Sequence, residues 1–216
     1  MSRYFAQLLA EREDQTDSVI AGPVVGTVTN TKDKAGLNRV QVNLPWIGKG
    51  EEGPWARVVT PMAGNNRGLY FLPDPGDEVL VMFERGDARF PYVIGALWNG
   101  KDKAPAGNDD GKNNLRVIRS RSGHVVSFND EPGKETFTIV DASGKNSILI
   151  DTANNAITIT SEKDIALAAP NGKVTISAKT IDIKASSEGT FTAGGKMTVH
   201  ATDDLAVQGK TVNINC

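Results

Sequence analysis

The chain has 216 residues, of which 39% are hydrophobic and 23% charged, an ordinary composition for a folded chain of one or two domains that argues against global disorder. A formal net charge of −2 gives no general attraction to nucleic acid or to an anionic membrane, so either partner would need a local patch. No run approaches the roughly 20 apolar residues of a membrane-spanning helix. The opening MSRYFAQLLAEREDQ lacks the apolar centre of a secretory signal, and synthesis and folding in the cytoplasm are expected. A single cysteine, Cys216, excludes an intrachain disulfide.

In chain order, residues 1–20 form an N-terminal segment. Phe5, Leu8, Leu9 and Arg12 share one face of a short helix expected over residues 3–13. About three turns are marginal in isolation, so this helix would dock on another surface. From Val24 the apolar period becomes two, in VVGTVTN, RVQVNLPWI, WARVVTP, GLYFLP, DEVLVMFE and PYVIGALW. Turn clusters separate these runs, among them TKDKAG, AGNNRG, PDPG and RGDARF. Over residues 21–100 this pattern predicts five or six short strands closing into a small OB-like barrel. Residues 101–145 then supply a polar linker, KDKAPAGNDDGKNN, and transition strands in LRVIRSRSGHVVSFND and KETFTIVDASG. Composition shifts there: every Trp and Tyr lies before residue 100, and no Arg follows Arg121.

Residues 146–216 carry a repeat. Apolar positions recur as Ile148/Ile150, Ile157/Ile159, Ile165/Leu167, Val174/Ile176, Ile181/Ile183, Phe191, Met197/Val199, Leu205/Val207 and Val212/Ile214, eight steps in the 64 residues from Ile148 to Val212. A period of eight is too short for helical repeats, which need over about 30 residues, and differs from single-chain β-solenoids. Strands of this length present two inward side chains each. A lone chain would leave one side of every strand wet and most edges unpaired, an aggregation hazard. Three copies winding round one axis satisfy both requirements. The fold class expected is therefore all-β: an OB-fold barrel followed by an intertwined triple-stranded β-helix in a homotrimer. The expected trimer core is Ile148, Ile150, Ile157, Ile159, Ile165, Leu167, Val174, Ile176, Ile181, Ile183, Val199, Leu205 and Val207, with Thr, Ser, Ala, Asp and Lys outside. Strand spacing gives a stiff rod about 40 Å long.

Sharper chemistry fails on context. Gly48–Gly53 spells G-x-G-x-x-G after a strand, but Pro54-Trp55 follows where a helix should begin. Asp74, Asp77 and Glu78 offer paired carboxylates in a turn composition without a companion motif. Ser120, Ser122 and His124 alternate as on one strand face, without the buried acid a nucleophilic triad needs. His200 is expected to point outward, and one His per chain is a weak metal signal. A barrel of this type can bind single-stranded nucleic acid, and Arg39, Arg57, Arg67, Arg85 and Arg89 among Trp and Tyr are the best case for that alternative. Coils of eight residues are too short for the cylinder of a β-helical carbohydrate-active enzyme. No catalysis, cofactor or metal is expected.

RVQVNLPW, WARVVTPMAG, GLYFLPDPGDEVLVMFERGD, PYVIGALWNGKDKAP, SGHVVSFND, KETFTIVDASG and ILID together resemble the spike proteins of contractile injection systems. The similarity is to the C-terminal half of VgrG proteins and to the phage baseplate assembly protein V group, and it runs from about Val24 to the C-terminus. The resemblance implies a homotrimeric puncturing device, with an OB-fold collar over residues 21–100 and a β-helix needle over residues 146–216. It would be assembled in the baseplate of a phage tail or injection particle. A target membrane would be crossed by mechanical penetration. The long hub-like region of full VgrG chains has no counterpart here, so a separate hub protein is expected at the collar. The lysozyme domain and the C-terminal iron-binding His-x-His of some phage relatives also have no counterpart. A PAAR-like tip protein is therefore expected on Val212, Asn213, Ile214, Asn215 and Cys216, with effector cargo as a further partner.

Overall fold

The computed structural model describes residues 19–48 and 51–214. The helix expected over residues 3–13, and Asn215 and Cys216 of the expected tip surface, lie outside the described residues. The chain divides into two units, residues 1–163 and 164–216.

The first unit begins with a barrel. Its elements are β1 (Val24–Asn30), β2 (Val40–Asn43), β3 (Trp55–Val58), a hairpin of β4 (Ala63–Gly64) and β5 (Arg67–Gly68), then β6 (Glu78–Phe83) and β7 (Pro91–Leu97). Five of these close in the order β1-β2-β3-β7-β6, with β1 and β6 sealing the ring. Only the β3–β7 pair is parallel; the other barrel pairs are antiparallel. This is the five-stranded Greek-key barrel of the OB fold. Alternation puts Val28, Val40, Val42, Ala56, Val79, Val81 and Val93 inside, and Leu44 and Phe83 complete the core. Full burial of a Val, Leu or Phe side chain contributes about 1.5–3 kcal/mol, so the barrel has an interior of its own. At Gly53 a Cβ would lie 1.8 Å from the Val42 carbonyl oxygen, so glycine is what lets the chain cross β2 that closely.

One expected barrel strand is corrected. GLYFLP does not join the ring; it leaves the β4–β5 hairpin, whose backbone groups are used locally. Leu69 N–H donates to the Met62 carbonyl at 3.1 Å, and Thr60 Oγ1 donates to the Leu69 carbonyl at 2.7 Å. Tyr70 and Phe71 are left 71% and 65% exposed.

No strand forms over residues 101–114, where Asn and Asp side chains close successive turns. A second sheet follows, of β8 (Leu115–Arg119), β9 (Val125–Asn129), β10 (Thr136–Val140), β11 (Ser147–Asp151) and β12 (Ala156–Thr160). It is an antiparallel meander in which each strand pairs with the next. The sheet runs across residue 146 without interruption: the first stripe of the repeat, on β11, pairs with the transition strand β10, and the second, on β12, pairs with the first. Ser120, Ser122 and His124 occupy the β8–β9 turn rather than a strand face, which corrects the sequence reading of them.

The second unit differs. Its described residues, 164–214, contain no strand and are all exposed. The backbone bends or turns at residues 170–172, 179, 186–187, 194–195, 202–203 and 210–211, a change of direction about every eight residues. Gly172 N–H to the Ala169 carbonyl, at 3.1 Å, is the single backbone hydrogen bond among its described residues.

Candidate functional site

Among the described residues, the meander presents an apolar surface. Register places Ile118, Val126, Ile139, Ile148 and Ile159 in one row across the meander, and Arg116, Phe128, Phe137, Ile150 and Ile157 in a second row on the same face. Phe128 and Phe137 stack with ring centroids 4.8 Å apart. Arg116 is the polar member, and it stands on the outermost strand with Asp130 at 2.8 Å as its ion-pair partner. The edge strands are the most exposed, with Ile118 at 53% and Ile157 at 71% against 36% for Ile150 on β11. The opposite face is mostly small and polar, and Ser127 Oγ and Thr138 Oγ1 share a hydrogen bond of 2.6 Å across it. Contiguous exposed apolar area of this kind marks an interaction surface.

Carboxylates hold the turns that align these strands. Asp141 accepts from the backbone N–H of Lys145 and Asn146, the Asn146 amide and the Ser143 hydroxyl. The Asn146 side chain, more than any other of these, holds the Asp141 carboxyl well below the usual carboxylate range. Asn154 does the same for Asp151 in the β11–β12 turn.

The expected core residues separate by unit. Ile148, Ile150, Ile157 and Ile159 come together on the meander face. Ile165, Leu167, Val174, Ile176, Ile181, Ile183, Val199, Leu205 and Val207 all stand exposed in the second unit, as do Val212, Asn213 and Ile214. Sequence reasoning missed Ile118, Val126, Phe128, Phe137 and Ile139. Their signal was the period-two alternation already visible in LRVIR, VVSFN and TFTIV.

The constellations weighed for chemistry are occupied structurally. His124 Nδ1 accepts from the Ala142 N–H at 3.2 Å, and Ser120 Oγ accepts from the His124 backbone N–H at 3.0 Å, which ties two turns together. Asp77 Oδ2 accepts from the Asp74 N–H at 2.8 Å, while Asp74 pairs with Arg121 at 3.1 Å. Among the described residues no group of three or more His, Cys, Asp or Glu could hold a metal ion.

Two of the five barrel arginines are already neutralised. Arg39 grips Asp33 through Nε and Nη2, both at 2.9 Å, and this holds the Asp33 carboxyl well below the usual range. Arg89 chelates Asp87 and holds its carboxyl down at about 2. Arg57 instead lies over the Tyr92 ring at 5.5 Å.

Residues 24–98, which span the barrel, match the type VI secretion system/phage-baseplate injector OB domain. Three curated relatives carry the similarity further. The chain is 28% identical over 129 residues to the type VI secretion system spike protein VgrG3 of Vibrio cholerae, covering 54% of this chain and 13% of that protein. It is 28% identical over 138 residues to the actin cross-linking toxin VgrG1 of Vibrio cholerae, covering 57% of this chain and 12% of the relative. Against the spike protein VgrG1a of Pseudomonas aeruginosa it is 26% identical over 122 residues, covering 52% and 19% respectively. The matched region is thus under a fifth of each of these relatives' length.

Proposed function

We propose that this chain, a member of the VgrG and phage-baseplate spike family, acts as a homotrimeric mechanical spike: a collar at residues 21–100 and a slender β-helical needle from residue 146 onward. The carrying observation is the second unit, whose apolar stripe is exposed and whose backbone is almost unpaired within one chain among the described residues. An extended segment with free N–H and C=O groups on both sides is a template for other strands. Three copies would pair those groups and turn the stripe inward.

The bends at intervals of about eight residues support the same reading, because a strand of five residues is about 17 Å long and each bend would carry the chain from one face of a prism to the next. The meander face would lead into this arrangement by packing against its two equivalents. The separate hub would hold the collar, and a PAAR-like tip protein would cap the end at Val212, Asn213 and Ile214 and the two residues that follow, with effector cargo carried alongside. Force transmission needs stiffness rather than an active site, and no catalysis is assigned to this chain.

Light scattering tests the reading directly: a particle of three times the 23.0 kDa chain mass is expected, and a well-behaved monomer at micromolar concentration would overturn it. The second reading, single-stranded nucleic-acid binding by the barrel, requires oligonucleotide affinity that collapses steeply with added salt. The engagement of Arg39 and Arg89 by carboxylates weighs against it.

A further inference from the structure

One tripeptide occurs in both units, as Asn99-Gly100-Lys101 and as Asn171-Gly172-Lys173. Asn-Gly is a reactive pair, because a glycine with no side chain lets its backbone nitrogen reach the asparagine Cγ and close a five-membered ring. The residues on the C-terminal side match, so the surrounding structure decides which copy reacts. Asn99 is held. It is half-buried after β7, and its Oδ1 accepts from the backbone N–H of Lys101 at 2.8 Å and of Asp102 at 2.7 Å, the local turn that asparagine favours. Its Nδ2 donates to Asp102 Oδ2 at 3.2 Å and to Glu78 Oε2, on β6, at 3.5 Å. Its backbone N–H donates to the Asp102 carbonyl at 3.0 Å. Both ends of the amide are engaged, and turning Cγ onto the Gly100 nitrogen means giving these bonds up.

Asn171 stands exposed at the bend of residues 170–172. That bend is closed by the Gly172 N–H bond to the Ala169 carbonyl, which has no neighbouring ladder to hold it shut and so opens locally. There is also room beside it: a Cβ on Gly172 would meet, beyond its chain neighbours, only the Ala169 Cβ, at 3.8 Å. We infer that Asn171 is a self-modifying site, at which the chain deamidates while Asn99 is spared. Once Gly172 N–H leaves Ala169, its nitrogen gives up the proton to solvent base and attacks Asn171 Cγ. The N–Cγ bond forms, the Cγ–Nδ2 bond breaks, and the amide nitrogen departs as ammonia. Water then opens the resulting succinimide. Cleavage at Cγ leaves aspartate, whereas cleavage at the Asn171 backbone carbonyl leaves isoaspartate, whose main chain is longer by a methylene. Water is consumed, ammonia is released, and nothing is oxidised or reduced. Either product adds a negative charge between the stripes Ile165/Leu167 and Val174/Ile176.

Peptide mass spectrometry on the full chain, aged in mildly alkaline buffer and fragmented so as to tell aspartate from isoaspartate, tests this. Asn171 should convert at least about tenfold faster than Asn99, since each hydrogen bond that must open at Asn99 slows its reaction by up to about tenfold. In urea, with the bonds around Asn99 gone, the two rates should draw level. Gly172→Ala adds only an ordinary contact with Ala169, so the bend survives. It should suppress conversion at Asn171 by crowding the attacking nitrogen, and leave Asn99 unchanged. None of this chemistry requires assembly, and light scattering on the same samples reports assembly separately. Equal native rates at the two asparagines, or faster loss at Asn99, would overturn the inference. An Asn171 that stays intact in the native chain while converting in urea would do so too.

Discussion

The barrel and the C-terminal unit are written in nearly the same residues, yet they behave as opposites. In β1 and β2 valines alternate with Thr, Gln and Asn, in β6 with Leu80 and Met82, and the strands close on themselves, leaving Val40, Val42, Val79 and Val81 wholly buried. In residues 164–214 Ile, Val and Leu alternate as regularly and remain exposed throughout. The difference is where the chain turns. Long connections and a parallel β3–β7 pairing allow the barrel strands to circle one interior, whereas residues 164–214 bend about every eight residues and form no strand pair within the chain. Alternation therefore reports that a face will be buried, without saying by which molecule.

The sharpest way to break this contrast is Ile176→Asp. In the proposed trimer it would place three charges at one level of the interior, each costing several kcal/mol, and no trimer should appear by light scattering. Normal assembly of that variant would mean the stripe faces outward. Leu44→Ala probes the other side of the comparison. It should cost the barrel about 2–5 kcal/mol, seen as a denaturant midpoint that does not move with protein concentration. Ile183→Ala, by contrast, should lower a melting transition that does depend on concentration, because the proposed trimer would bury it between chains.

The smallest expected effect is of pH. Asp33 and Asp141 are held below the ordinary carboxylate range, so their contribution is present above about pH 4, where the unfolded chain is already ionised. It is lost only as pH falls through the lower folded values. Both turns should thus keep their geometry at pH 3 by carboxyl NMR, and Asp87 should titrate near 2. Asp33→Asn should reduce barrel stability modestly at neutral pH and flatten its dependence on acid.

Much of this was legible in the sequence because the period-two runs bounded by turn clusters translate directly into strands. Five of the six barrel runs became ring strands, and the repeat positions mark the surface that a single chain leaves uncovered. GLYFLP misled because apolar aromatic residues next to a glycine turn look like a strand. Its hydrogen bonds to Thr60 and Met62 are not visible in one-dimensional spacing. The β8–β9 turn misled for a related reason: Ser-x-Ser-x-His has strand parity, but Gly123, at φ +103°, folds it into a turn. The register that aligns Phe128, Phe137, Ile150 and Ile157 depends on loop lengths, and these became decisive only when all the turns could be counted together.

In the proposed needle, the regular bends of the second unit would make its length a discrete quantity. If each eight-residue module adds one strand, and each strand advances the shaft by about 4.8 Å, reach can be lengthened or trimmed in whole modules while the collar stays untouched. Losing a single residue inside a module would do something quite different: the side chains beyond it, up to the next bend, would change faces.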